Sequence, residues 1–300
     1  DLHVSDTQIA PILAQAGRLL KTDGQPKRRS SRGKRARSPL PGVERLYLTG
    51  HSMSAGPTWP YMHSDHERLR LKRGAPIYDA FFPETTRTAS RFGRWQDVDV
   101  PTIVLASQLE VQEVIADDGI NYRKADSDRP GRQFRLYEVA GMPHHDSRVN
   151  PIFQREPCDR PLNRFPYKPM VMMALDHLIR WVDKGVRPPR AKRISVIGGP
   201  GGEVELDAFG NAVGGVRSTY VDVPVATHSP LNSGSDGNCG VLGSQLPFSA
   251  ERLLSIYGTH ARYVDRVKRR LRRLVRQGWY LRGLAPELRR EAAEFDGFEG

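Results

Sequence analysis

Only two cysteines, Cys158 and Cys239, occur in 300 residues. That is too few for a disulfide framework or a cysteine-rich zinc site, and the sequence leaves open whether they pair. No run approaches the roughly 18 consecutive apolar residues of a membrane span. The opening residues do not show the basic stretch followed by an apolar core of a signal peptide. No histidine stands at a spacing from cysteine or carboxylate that recommends a metal site; His63, Asp65 and His66 lie close together but read as a surface turn. The expectation is therefore no metal, no cofactor, no membrane span and a cytoplasmic location. What is present, 38% hydrophobic and 27% charged residues, suffices for one large core or two small ones.

The formal charge is +12, which raises nucleic acid as a partner, but its distribution matters more than its sum. Residues 27–37, KRRSSRGKRAR, carry seven basic side chains and no acid, and residues 262–290 carry a net +9. Taking that +7 and +9 from +12 leaves the rest of the chain at −4. Neither basic segment is interleaved with the aromatics or built into the modules that read bases. No nucleic-acid partner is expected, and both segments read as solvated faces.

Residues 7–21 place Ile9, Ile12, Leu13, Ala16, Leu19 and Leu20 at steps of three and four, the period of an amphipathic helix. Residues 22–42 are rich in Gly, Pro, Ser and basic side chains and read as a basic loop. Strands are expected at 44–49, 77–82, 102–107 and 133–139. The third, TIVLAS, is nearly continuous in apolar residues, as suits a parallel strand covered on both faces. Residues 170–184 form a helix closed by Gly185, with Pro188 and Pro189 beyond it. The alternation implies an α/β fold with a mostly parallel sheet flanked by helices. A core at 1–190 would then be followed by an irregular and helical appendage at 191–300, β-prone at 221–225 and helical at 248–278.

The chemistry-bearing signal is Gly50-His51-Ser52-Met53-Ser54-Ala55-Gly56, directly after an expected strand. A serine nucleophile on a sharp strand-to-helix turn needs small residues two positions to either side. Those positions hold Gly50 and Ser54, the latter where glycine is usual. Glu110 then follows the strand at 102–107, and His144 follows the strand at 133–139. Serine, acid and histidine in that order, each after a strand, is the arrangement of α/β-hydrolases. Ser52 would attack a carbonyl carbon with His144 as base and Glu110 orienting it, and the backbone N–H of Met53 would serve the oxyanion. Glu113 and Asp79 compete for the acid's role, and the adjacent His145, with Asp146, is read as ordering the loop.

The strings LYLTGHSMSAG, VPTIVLASQLEV, LYEVAGMPHHD, ALDHLIRWVDKGVRPP, LDAFGNAVGGVRSTYVDVPVATH and SAERLLSIYGTHARYVDRVKRRL resemble, in that order, a bacterial family of alpha/beta hydrolase domain-containing proteins. The resemblance covers nearly the whole chain except the basic loop and the extreme C-terminus. It implies an esterase-like serine hydrolase acting on a small-molecule ester. Ser52 matches the nucleophile of a G-x-S-x-[ST]-x-G string, Met53 a position often held by glutamine, and His144 the base of an A-G-x-x-H string. Glu110 matches the acid after the intervening strand. Members of that family carry further strands before the helix at 7–21, including the donor of a second oxyanion amide. The chain is thus expected to be N-terminally incomplete, and the alternative function is a catalytically silent hydrolase-fold binding or scaffold protein.

Overall fold

A computed structural model describes residues 5–21, 40, 42–85, 95–116, 123–148, 157–199 and 201–299. Apart from residues 40 and 42, the basic loop expected at 22–42 lies outside the described residues. The central element is an all-parallel sheet of β1 (Tyr47–His51), β2 (Ala80–Glu84), β3 (Thr102–Ser107) and β4 (Phe134–Val139), in that spatial order. Every residue of β2, β3 and β4 is buried, as a parallel sheet covered on both faces requires.

On one face, Phe82, Ile103, Leu105, Tyr137 and Val139 meet Met170, Met173, Ala174, Leu178 and Trp181 of the helix α3 (Lys168–Lys184). On the other, Phe81, Val104, Ala106 and Leu136 meet Ala14 of the first helix, α1 (Asp6–Leu20), together with Trp59 and Ile77. The helix α2 (Gln108–Ala116) follows β3 without a break and serves both layers, with Val111 and Ile115 on one side and Val114 on the other. The α/β architecture expected from the sequence is present.

After α3, two small antiparallel pairs form, β5 (Val196–Ile197) with β6 (Glu203–Val204) and β7 (Ala226–Ser229) with β8 (Ser244–Pro247). Three helices follow, α4 (Ala250–Tyr257), α5 (His260–Gln277) and α6 (Ala285–Glu294). Leu271 and Leu274 of α5 join the cluster on the α3 face of the sheet. Tyr263, Val264 and Val267 of the same helix instead pack with Leu253, Tyr257 and Ala292. Backbone bonds from Val216 N to Glu138 O (2.7 Å) and from Ala140 N to Val216 O (3.1 Å) tie this C-terminal part to β4.

Two sequence expectations change, and one open question is answered. Residues 221–225 do not make a strand: Thr219–Asp222 is a helical turn whose N-cap, Ser218, accepts a bond from Tyr220 N at 3.2 Å. His63 and His66 are not on a surface turn but on the helical stretch at Tyr61–Asp65 and just after it. His66 is buried, faces Phe81, and has Nε2 2.7 Å from Asp99 Oδ1. Cys158 and Cys239, left open above, form a disulfide across 81 positions of sequence.

Two buried histidines give the fold an acid sensitivity. Desolvation pushes His177 and His228 down to about 4 from 6.5, and His228 lies 2.9 Å from Asn163 Oδ1 through Nδ1. Between pH 6.5 and 4 the unfolded chain binds protons that the folded chain refuses, so their contribution is present above pH 6.5 and lost as pH falls. Urea denaturation at pH 7 and at pH 5 is expected to differ by on the order of 3–4 kcal/mol. Equal stability at the two values would show that these rings are not buried neutral.

Candidate active site

The turn after β1 is built around its glycine. A Cβ at Gly50 would stand 2.3 Å from the backbone oxygen of Ser54 and 2.7 Å from the nitrogen of Ala55, so the chain can double back there only without a side chain. Ser52 takes φ +54°, a conformation disfavoured for residues other than glycine and typical of functional turns. It opens a short 3-10 turn, Ser52–Ala55. Ser54 closes the turn from the position usually held by glycine: its Oγ accepts from His51 N at 2.9 Å and donates to His51 O at 2.7 Å. The N–H of Met53 belongs to the first turn, where helical donors have no intrahelical partner, and its side chain is 91% exposed. Gly50→Ala is expected to cost on the order of 2–3 kcal/mol by overpacking and to lower ester turnover with it. A variant with unchanged melting temperature and turnover would contradict the crowding.

His144 arrives on the loop after β4. Gly141, at φ +80°, permits this path, since a Cβ there would lie 2.7 Å from Val221 Cγ1. Gln108, the first residue of α2, anchors the same loop: its N–H donates to Met142 O at 3.0 Å and its Oε1 accepts from Gly141 N at 2.7 Å. Two residues on along α2, Glu110 points its carboxylate at His144, so one backbone and one side-chain bond of Gln108 set the two against each other.

The three residues singled out from the sequence come together. Ser52 Oγ lies 2.7 Å from His144 Nε2, and His144 Nδ1 contacts Glu110 Oε1. Glu110 Oε2 accepts from Ser107 N at 2.7 Å. His144 and Glu110 are 4% and 1% exposed. Burial alone would raise the Glu110 carboxyl, but the bond to His144, its charge and the Ser107 donors outweigh that and hold it below its ordinary value. An ionised carboxylate only accepts, so Nδ1 carries the imidazole proton and Nε2 presents a lone pair to the serine hydroxyl. Neither competing carboxylate takes this place. Asp79 Oδ2 accepts from Leu46 N and pairs with Lys21, each at 2.7 Å. Glu113 lies one turn further along α2, and the carboxylate at Nδ1 is that of Glu110.

His145 donates its backbone N–H to Val241 O at 3.0 Å, and Asp146 accepts from Tyr167 N at 3.0 Å and Arg148 N at 2.8 Å; this pair orders the loop. Sequence reasoning missed a second ring of side chains. His51 Nε2 lies 3.3 Å from His144 O, and its ring meets Tyr167 edge-on at 5.3 Å. The Tyr167 hydroxyl donates to Glu84 Oε2 at 3.2 Å, and Thr49 donates to Glu84 Oε1 at 3.1 Å. Burial raises the Glu84 carboxyl. Burial, then the charge of His144, lowers His51, and the same causes with His51 added bring His145 down to about 4. Glu84 stands at the C-terminal end of β2, where open α/β sheets gather their reactive groups. The expected strand stopped at residue 82, before Pro83, and so passed it over.

Among the described residues no group of three histidine, cysteine or carboxylate side chains is arranged to hold a metal ion. Residues 2–290 match the family model of the alpha/beta hydrolase domain. No curated protein and no solved structure matches the chain.

Proposed function

The chain belongs to the alpha/beta hydrolase domain family, and within it we propose a serine hydrolase that cleaves a carboxylic ester through an acyl-enzyme. The observation that carries this reading is the continuous contact from Glu110 through His144 to Ser52. Ser52 Oγ attacks the ester carbonyl as its proton passes to His144 Nε2, and the cation so formed is stabilised by Glu110. The tetrahedral oxyanion faces the N–H of Met53. His144 then gives the proton to the departing alkoxide, leaving an acyl-Ser52 and the free alcohol. Water, deprotonated by the same nitrogen, attacks the acyl carbon and restores Ser52 with release of the acid.

The substrate class is a small-molecule ester. Residues 1–190 are assigned to the hydrolase core and 191–300 to an appendage packed on it, a division supported by the way α5 shares its apolar face between the two clusters. Among the described residues no helix is long and apolar enough to cross a membrane. The Cys158–Cys239 disulfide supports an oxidising compartment, in place of the cytoplasmic location expected from the sequence. The test is incubation with a fluorophosphonate probe, peptide mass spectrometry for an adduct on Ser52, and turnover of a p-nitrophenyl ester. Failure of both would leave the silent binding protein as the reading.

A further inference from the structure

Five arginines of α5 form one line. At 100° per residue, Arg262, Arg266, Arg269, Arg273 and Arg276 fall within an arc of about 80° and run for about 21 Å along the helix. All five are exposed. Among the described residues, the one ion pair of this helix joins a different residue, Arg270, to Asp222 at 2.5 Å. Asp265, the helix's single carboxylate, flanks the line and forms no ion pair with it among the described residues.

The opposite face of α5 is committed to the interior through Tyr263, Val267, Leu271 and Leu274, so the arginine line has a fixed outward aim. Between α5 and the end of α4 runs an open groove of about 490 Å³, lined by Leu254, Ile256, Tyr257, Gly258 and the first three arginines. The Arg266 guanidinium sits 5.2 Å from the Tyr257 ring centroid. Leu254, on the rim, is 46% exposed.

Guanidinium groups suit phosphate oxygens through paired N–H donors, and five in a row with no ion pair among the described residues invite a partner with many phosphates. The line holds no exposed aromatic on which a base could stack, which polynucleotide grooves use. An aliphatic side chain lies beside it instead, the combination found where amphipathic surfaces meet acidic lipid headgroups. We propose that this face of α5 docks the protein on an anionic phospholipid bilayer, with the arginines on headgroup phosphates and Leu254 entering the boundary with the acyl chains.

The test is co-sedimentation of the full chain with phosphatidylcholine vesicles, pure or with roughly a third phosphatidylserine, a composition that brings the surface potential to the level at which each basic residue contributes roughly fivefold to binding. Binding to the acidic vesicles alone, weakening as salt is raised, is expected. The variant with all five arginines changed to glutamine should lose it by on the order of a thousandfold, and Arg266→Gln with Arg269→Gln, a milder change to the surface, by roughly thirtyfold. Leu254→Ser should weaken vesicle binding without affecting retention by heparin. Equal binding by wild type and both arginine variants would overturn the proposal, as would equal binding to pure phosphatidylcholine. Tighter binding to single-stranded RNA than to acidic vesicles at the same salt would overturn the choice of lipid. None of these readouts depends on ester hydrolysis.

Discussion

Ser52→Ala is expected to lower ester turnover by about 10⁶-fold and to abolish fluorophosphonate labelling of the chain. The size follows from the way such a group works: removing the nucleophile alone costs about as much as removing nucleophile, base and acid together, because no partial mechanism survives. What remains is the contribution of binding and the Met53 N–H, about 10³–10⁴ over water. The change is conservative for the fold. It deletes one part-buried hydroxyl whose single partner among the described residues is His144 Nε2 at 2.7 Å, a bond worth on the order of 1 kcal/mol, and leaves the φ of +54° to a residue of similar size. An unchanged melting temperature with vanished turnover is therefore the signature sought. Turnover that survives, or an adduct found at another serine, would refute Ser52 as nucleophile.

Glu110→Gln is expected to lower kcat by about 10⁴-fold with a much smaller change in KM, because the amide no longer enforces the tautomer that leaves Nε2 free to accept the serine proton. Glutamine keeps the shape of a side chain that is 1% exposed and can still accept from Ser107 N, so its effect separates orientation from packing. Glu113→Gln and Asp79→Asn serve as comparisons. Asp79 is held by Lys21 and Leu46 N, so Asp79→Asn should register in the melting temperature and not in kcat. A tenfold or smaller loss in Glu110→Gln would remove Glu110 from the reaction. The linkage has a definite sign as well. The Glu110 carboxyl is held below its ordinary value in the fold, so the stability it contributes is present at neutral pH and is lost as pH falls through the ordinary carboxylate value and below.

How much of this was written in the chain differs from element to element. TIVLAS reads as a strand because both faces of β3 are covered and all six side chains are buried, and the strand occupies the residues expected. β1 and β2 were expected to begin and end earlier, at 44–49 and 77–82, and instead span Tyr47–His51 and Ala80–Glu84. Gly50, His51 and Pro83 are poor strand formers in isolation, yet the parallel register pairs Gly50 with Pro83 and His51 with Glu84. Tertiary pairing overrides their propensity, and the same override hid Glu84 from the site. The order of Ser52, Glu110 and His144 was legible because each follows a strand. The Gln108 bonds to Met142 and Gly141 that hold Glu110 against His144 carry no sequence pattern, being long-range contacts to the backbone of another loop. The helical turn at Thr219–Asp222 had a local signal, the capping Ser218, that its β-branched neighbours outweighed. The disulfide had none, since 81 positions separate its halves and spacing alone does not specify a pair.

The position of that disulfide bears on when the protein becomes competent. Cys239 begins the turn whose Val241 carbonyl receives the N–H of His145, next to the base, while Cys158 lies upstream of α3. During synthesis Ser52, Glu110 and His144 are all made before residue 239 exists, so the bond from His145 N to Val241 O forms only once the chain has grown past that point. Closing so long a loop removes about 4–5 kcal/mol of freedom from the unfolded chain, and the clasp it leaves sits beside the His144 loop. A nascent chain released early would carry all three reactive side chains without the clasp beside its histidine. On the proposed mechanism, the ordering of the loop that carries His144 thus depends on residues made well after it in the chain.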